Sequence, residues 1–171
     1  PVRAIGGDSF YDLAVLEFQG TEPGSEFTTV DFSSVEPRLG EPVYAIGNPL
    51  GEYPYTVTQG IVGGKNRMFN GLTAKFGYLQ STATVIWGNS GGPLVNSEGA
   101  VVGVNSRIEI RKVGDQMFVQ PQLNFALEAK IADRVVHDVL TNKGRVRRSF
   151  SGLEIAQRYR VEGEDGNRVT V

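Results

Sequence analysis

The sequence predicts an all-β fold, an antiparallel barrel or sandwich with a single late helix, and three observations predict it. Apolar runs are short and separated by turn signals from the N-terminus to Ala126. Gly supplies 22 of the 171 residues, about twice the ~7% of ordinary chains, which favours tight turns over long helices. A helical apolar period occurs once, between Leu127 and Leu140.

In chain order, Asp12–Phe18 is an apolar run between Gly7 and Gly20 and reads as a buried strand. Thr21–Leu39 is rich in Thr, Ser, Pro and Glu and reads as a connection between two packed units. Pro42–Ile46 is the next strand, stopped at Gly47-Asn48-Pro49-Leu50-Gly51. Tyr55–Val62 is β-branched and therefore strand-like, Lys65–Gly71 reads as a loop, and Tyr78–Thr84 as a strand. Pro93–Val95 and Ala100–Val104 flank Asn96-Ser97-Glu98-Gly99 as a hairpin. Met117–Ala126 carries one or two further strands. Leu127, Ile131, Val135 and Val139 make one helical stripe, and Asn142-Lys143-Gly144 stops it. Beyond the basic Arg145, Arg147 and Arg148, two strand-like pieces appear at Gly152–Ile155 and Arg168–Val171.

Composition narrows the function classes. Seventeen Lys+Arg against 19 Asp+Glu leave a net charge of −2, which argues against nucleic acid as the main partner. With zero Cys, disulfide frameworks, thiolate metal sites and Cys nucleophiles are excluded. No apolar stretch approaches the ~18 residues of a membrane span. The opening Pro1-Val2-Arg3-Ala4 is neither a leader nor an initiator Met, so the chain is expected to begin inside a longer protein.

Gly88-Asn89-Ser90-Gly91-Gly92-Pro93-Leu94 is the most informative stretch. A Ser between glycines can stand on a sharp turn with its hydroxyl exposed while bare backbone N–H groups face the same space, an arrangement suited to a developing oxyanion. An ordinary Gly-rich turn between strands reads the same way. Gly88-x-Ser90-x-Gly92 also matches the nucleophile elbow of α/β-hydrolases. That elbow needs strand, turn and helix, whereas Ser90 is followed by a short strand and a hairpin.

Gly88–Asn96 resembles the nucleophile segment of HtrA-type (Deg-type) trypsin-like serine proteases. Asp12–Leu16 resembles that family's triad-acid strand, Leu39–Gly51 the entry to its second barrel, Thr56–Val62 the strand that follows, and Gly144–Arg148 the strap toward a PDZ domain. The resemblance implies a chymotrypsin/trypsin-like antiparallel β-barrel, the C-terminal barrel of a double-barrel protease, with a C-terminal helix. Residues 1–20 would be the last strand of the first barrel, 21–38 the inter-barrel connection, 39–126 the second barrel, 127–143 the helix, and 144–171 a linker with the first strands of a truncated PDZ domain.

On the same resemblance the chain comes from an ATP-independent endopeptidase of unfolded or damaged proteins. Ser90 is its nucleophile, Gly88, Asn89 and Ser90 its oxyanion hole, and Asp12 the carboxylate that orients a general-base imidazole; without the resemblance Asp12 reads as a turn or capping residue. Val85 with Val104, Asn105 and Ser106 would bind substrate, the latter strand by β-addition, in a pocket suited to a small aliphatic side chain. Val85 and Val104 read equally well as core. No cofactor or metal is implied. Unfolded polypeptide is the expected partner, a homotrimer or higher homo-oligomer the expected assembly, and a periplasmic, secreted or organellar compartment the expected location.

The family's base His lies upstream of the acid, and the sole His here, His137, falls on the polar side of the late helix as a solvated residue. Loss of a triad His typically costs on the order of 10⁶ in turnover, so this chain alone is expected to be inactive, with an apolar surface where the first barrel would pack. A non-catalytic module that holds unfolded peptide is the alternative. Trp87 stands where the family usually has Pro, which bears on the orientation of the Gly88 peptide. Arg107–Gln122 departs from the family pattern as a variable regulatory loop or a solvated hairpin tip, and the basic run at 145–148 reads as a solvated connector.

Overall fold

The computed structural model describes residues 1–20, 27–69, 75–148, 160–162 and 168–170. β1 (Val2–Asp8) and β2 (Leu13–Phe18) form an antiparallel ribbon. β3 (Pro42–Gly47), β4 (Thr56–Phe69), β5 (Lys75–Ser81), β6 (Pro93–Val95), β7 (Val101–Val113) and β8 (Gln116–Glu128) follow. These six close into an antiparallel barrel in the order β3-β4-β5-β8-β7-β6. Closure removes the unpaired edges that an open sheet would present. α1 (Ala129–Thr141) continues directly from β8, and β9 (Arg160–Glu162) pairs with β10 (Arg168–Thr170).

Side-chain alternation fills the barrel. Val43 and Ala45 of β3, Val62 of β4, Leu79 of β5, Leu94 of β6, Val102 of β7 and Ala126 of β8 are all at most 2% exposed and share one cluster. Each buried Val or Leu contributes roughly 1.5–3 kcal/mol before the ordering cost of the chain is set against it. A second cluster joins the ribbon, the barrel and the helix: Tyr11 from the β1–β2 turn meets Tyr78, Phe125, Leu127 and Ala132. The segment before β3 lies on the barrel through a parallel bridge between Phe32 and Val101.

The late helix buries Ala129, Ala132, Val135 and Val139 at helical spacing. Leu127 belongs to β8 rather than to this helix, its chain still paired with Tyr78 and Val104. Gly144, at φ +82°, ends the helix by donating its N–H to Val139 O at 2.9 Å.

Several expected elements differ. β1 escaped the sequence reading because Gly6 and Gly7 break its apolar pattern, and a bulge falls between Ala4 and Gly6. The expected loop from Lys65 is strand as far as Phe69, and residues 70–71 of that loop lie outside the described residues. The expected Tyr78–Thr84 strand begins earlier, at Lys75, and ends at Ser81. Arg107–Gln122 takes the hairpin reading rather than the loop one. It is a long β7–β8 hairpin whose cross-strand pairs include Glu109 with Gln120 and Ile110 with Val119, so its charged residues mark solvated strand faces. The Asp12–Phe18 run is not buried either, since Leu16 and Phe18 are more than half exposed. Gly152–Ile155 lies outside the described residues, and Arg168–Thr170 is β10.

Candidate active site

Ser90 stands at the crest of two successive turns, in which Asn89 N donates to Ile86 O at 3.1 Å and Gly92 N to Asn89 O at 3.0 Å. Gly88 is required here. Its φ is +98°, and a Cβ at this position would lie 2.0 Å from Asn48 O. The turn is clamped from both sides. Leu50 N donates to Trp87 O at 2.7 Å and Asn48 N to Gly88 O at 3.3 Å, while Gly91 N donates to Asn105 O at 2.8 Å and Asn105 N to Gly92 O at 2.9 Å.

The side chain of Ser90 is exposed, and its hydroxyl donates to Ser106 O at 3.3 Å. Among the described residues the N–H groups of Gly88 and Ser90 have no hydrogen-bond acceptor. The C=O and N–H of a trans peptide point in opposite directions, so the bond from Leu50 to Trp87 O turns the Gly88 N–H away from Leu50. The Trp87 indole itself projects outward, 64% exposed. Asn89 is buried beneath the turn. No helix follows Ser90; the chain passes through Gly91 and Gly92 into β6, which removes the strand–turn–helix context of an elbow.

Asp12 lies at the end of the β1–β2 turn, exposed and at φ +56°, a conformation Asp tolerates better than most residues. Asp8 shapes that turn by accepting the Phe10 N–H on Oδ1 at 2.8 Å. Burial pushes the Tyr78 phenol up, its hydrogen bond to the Ser106 side chain and the Arg107 charge oppose that, and the Asp12 and Asp8 carboxylates add to it. The phenol therefore stays protonated near neutral pH between the acidic turn and Ser106, whose carbonyl receives Ser90.

A cleft of about 220 Å³ opens beside Ser90, lined by Val85, Ile86, Trp87, Ser106, Arg107 and the isoleucines Ile108 and Ile110. Val85 thus serves the cleft and the barrel core together. Val104 and Asn105 do not line it. Val104 packs against the second cluster, and Asn105 is buried with its Nδ2 donating to Pro93 O at 3.1 Å. Their backbones are also occupied, because Val104 pairs with Pro93 of β6 and Asn105 bonds Gly91 and Gly92. β6 ends at that level, so among the described residues no strand pairs with the edge of β7 facing away from β8 from Ser106 onward.

His137 is exposed on α1. Arg147 and Arg148 are more than a solvated connector: Arg147 pairs with Asp138 of α1, Arg148 with Asp8 of the ribbon. Both carboxylates are buried. Sequence reasoning also missed Tyr78 and Arg107. Tyr78 lies inside an apolar run that signals only a strand, and Arg107 inside a polar stretch that signals only exposure.

Comparison with known proteins places the chain in a family. Residues 1–104 match the family model described as a trypsin-like peptidase domain. Serine protease Do-like HtrB of Bacillus subtilis is 37% identical over 164 residues, covering 93% of this chain and 34% of the relative. Serine endoprotease DegS of Escherichia coli K12 is 36% identical over 151 residues, covering 87% and 40%. Among solved structures, the HtrA-type protease AlgW with a tripeptide superposes at a TM-score of 0.66 with 30% identity, over 82% of this chain and 44% of that one. The chain therefore spans less than half the length of these relatives.

Proposed function

The chain belongs to the trypsin-like peptidase family, and on that premise we propose that it is the nucleophile-bearing part of an HtrA-type, ATP-independent serine endopeptidase acting on unfolded or damaged polypeptide. The single observation that carries the reading is an exposed Ser90 hydroxyl on a clamped turn flanked by the unengaged N–H groups of Gly88 and Ser90.

In this reading Ser90 Oγ attacks the scissile carbonyl and its proton passes to an imidazole. The amine leaves with that proton, and water hydrolyses the acyl-enzyme. The Gly88 and Ser90 N–H groups receive the negative charge that develops on the carbonyl oxygen, a term worth about 2.7–4 kcal/mol per donor in comparable sites. Asp12 orients the imidazole, which is supplied by polypeptide outside this sequence because His137 stands on the exposed face of α1. Residues 1–20 then belong to the first barrel, 21–38 to the connection, 39–126 to the second barrel, and 144–171 to a linker and PDZ start. Assembly as a homotrimer or higher homo-oligomer and a periplasmic, secreted or organellar location follow from the same reading.

A fluorophosphonate probe tests it on the full-length protein. Labelling of wild type that is lost in Ser90→Ala is the expected result, with the 171-residue chain alone unlabelled. A folded full-length protein that binds unfolded peptide yet takes no label would favour the non-catalytic peptide-holding module instead.

A further inference from the structure

The cleft beside Ser90 is lined by Ser90, Ser106 and mostly apolar side chains, with Arg107 its one charged residue. Its guanidinium carbon lies 4.3 Å from the centroid of the Phe69 ring, inside the range of a cation–π contact. Phe69 is itself held edge-on by Tyr78 at 5.1 Å and Phe125 at 4.7 Å. Among the described residues no carboxylate forms an ion pair with Arg107. The result is a positioned cation, exposed to solvent, fixed by aromatic packing rather than neutralised.

We propose that Arg107 selects substrates carrying an acidic side chain within the first few residues on the acyl side of the scissile bond. The inference rests on the reading of Ser90 as nucleophile and names the substrate class that this site prefers. Two observations and the chemistry of Arg support it. The free edge of β7 starts at Ser106, the residue whose carbonyl receives the Ser90 hydroxyl, so a substrate strand added there runs past Arg107 immediately after leaving Ser90. At about 3.4 Å per residue, two or three substrate residues cover the span of Ser106–Ile108. An Arg at such a place engages a carboxylate with paired donors in a fixed fork, which Lys cannot reproduce. Val85, Ile86, Ile108 and Ile110 meanwhile leave the rest of the cleft apolar, suited to the aliphatic residue at the cut itself.

Full-length protein, titrated with a fluorophosphonate to count competent sites, is assayed on paired peptides. They differ only by Glu or Gln at the second, third or fourth residue before an aliphatic cleavage site. At one of these positions the Glu peptide is expected to have a five- to tenfold higher kcat/KM, carried mainly by KM and shrinking as salt rises. Arg107→Gln should bring the ratio to one, Arg107→Glu should invert it in favour of a Lys peptide, and Arg107→Lys should restore part of it. Circular dichroism and the titration verify that each variant is folded and active. Equal kcat/KM for Glu and Gln at all three positions, or a Glu preference that survives in Arg107→Gln, overturns the proposal. Absence of titratable sites in wild type would instead remove the nucleophile reading beneath it.

Discussion

At the residue scale the Ser90 turn depends on one backbone conformation. Gly88 holds φ +98° with Asn48 O pressed against the place of its missing Cβ. Gly88→Ala adds a left-handed-region strain of roughly 1–2 kcal/mol and a contact no L-residue can keep, so the loop must shift away from Asn48 and Leu50. Both N–H groups flanking Ser90 then lose their aim. Urea denaturation should show a loss of at least about 1 kcal/mol for Gly88→Ala, and fluorophosphonate labelling of the full-length variant should slow by 10-fold or more; unchanged labelling would show that the turn tolerates a different path. The turn was legible, because Gly-x-Ser-Gly marks a sharp bend, but that pattern alone reads equally as an ordinary Gly-rich turn, and only its neighbours at family spacing singled out Ser90. Tyr78 and Arg107 were not, since their surroundings are set by residues far along the chain: Arg107 meets Phe69, and Phe69 meets Tyr78, only after β4, β5 and β7 converge.

At the element scale, strands were legible where one face is apolar and a Gly or Pro ends the run, as in Pro42–Gly47 and Pro93–Val95. They were hidden where both faces meet solvent. In the outer half of the β7–β8 hairpin the charged Glu109, Arg111 and Lys112 interrupt the run, so Met117–Ala126 reads as strand while the β7 side reads only as a loop or hairpin tip. The segment 27–41 is irregular and is held on the barrel by backbone bonds of Asp31 and Ser33 to Val101 and by ion pairs at Glu36. Glu36 accepts hydrogen bonds from Lys130 and Lys65, which lower its pKa to about 2, joining the connection to α1 and β4 at 2.6 and 3.0 Å. A carboxylate lowered in the folded state contributes stability that is fully present above its unfolded pKa and is lost as pH falls through the folded value. The window for Glu36 therefore runs from about 4.5 down to about 2. Because the pair is exposed, its effect is small and screened by salt. The stability gap between wild type and Glu36→Gln should close across that window and narrow in high salt at neutral pH. A gap that widens on acidification would contradict the assignment.

At the scale of the whole molecule, stability is unevenly shared. The barrel closes on itself, whereas the β1–β2 ribbon has its own two strands and a few anchors at its turn end. Those anchors are Tyr11 in the second cluster, Gly6 packed so closely on Gly144 that a Cβ would lie 2.5 Å from Gly144 O, and the Asp8–Arg148 ion pair with Arg148 stacked 4.5 Å from the Phe10 ring. Among the described residues the far end is tied by the exposed Arg3–Glu17 ion pair and by Phe18 stacked at 4.8 Å on Phe27. Val2 is 55% and Phe18 62% exposed, and a two-stranded ribbon is marginal on its own in water. Apolar residues on both its strands face solvent, the surface expected where another packed unit would lie. Native-state hydrogen exchange on the 171-residue chain should therefore separate two classes of amide. Val2–Ala4 and Leu16–Phe18 should exchange through a local opening well below the free energy of β3–β8. Arg148→Ala should speed exchange in the ribbon by at least about fivefold while leaving the barrel amides within error, because it removes an anchor the barrel does not use. Ribbon amides as protected as the barrel core would mean that the two open together, and that the turn carrying Asp12 is as rigid as the turn carrying Ser90.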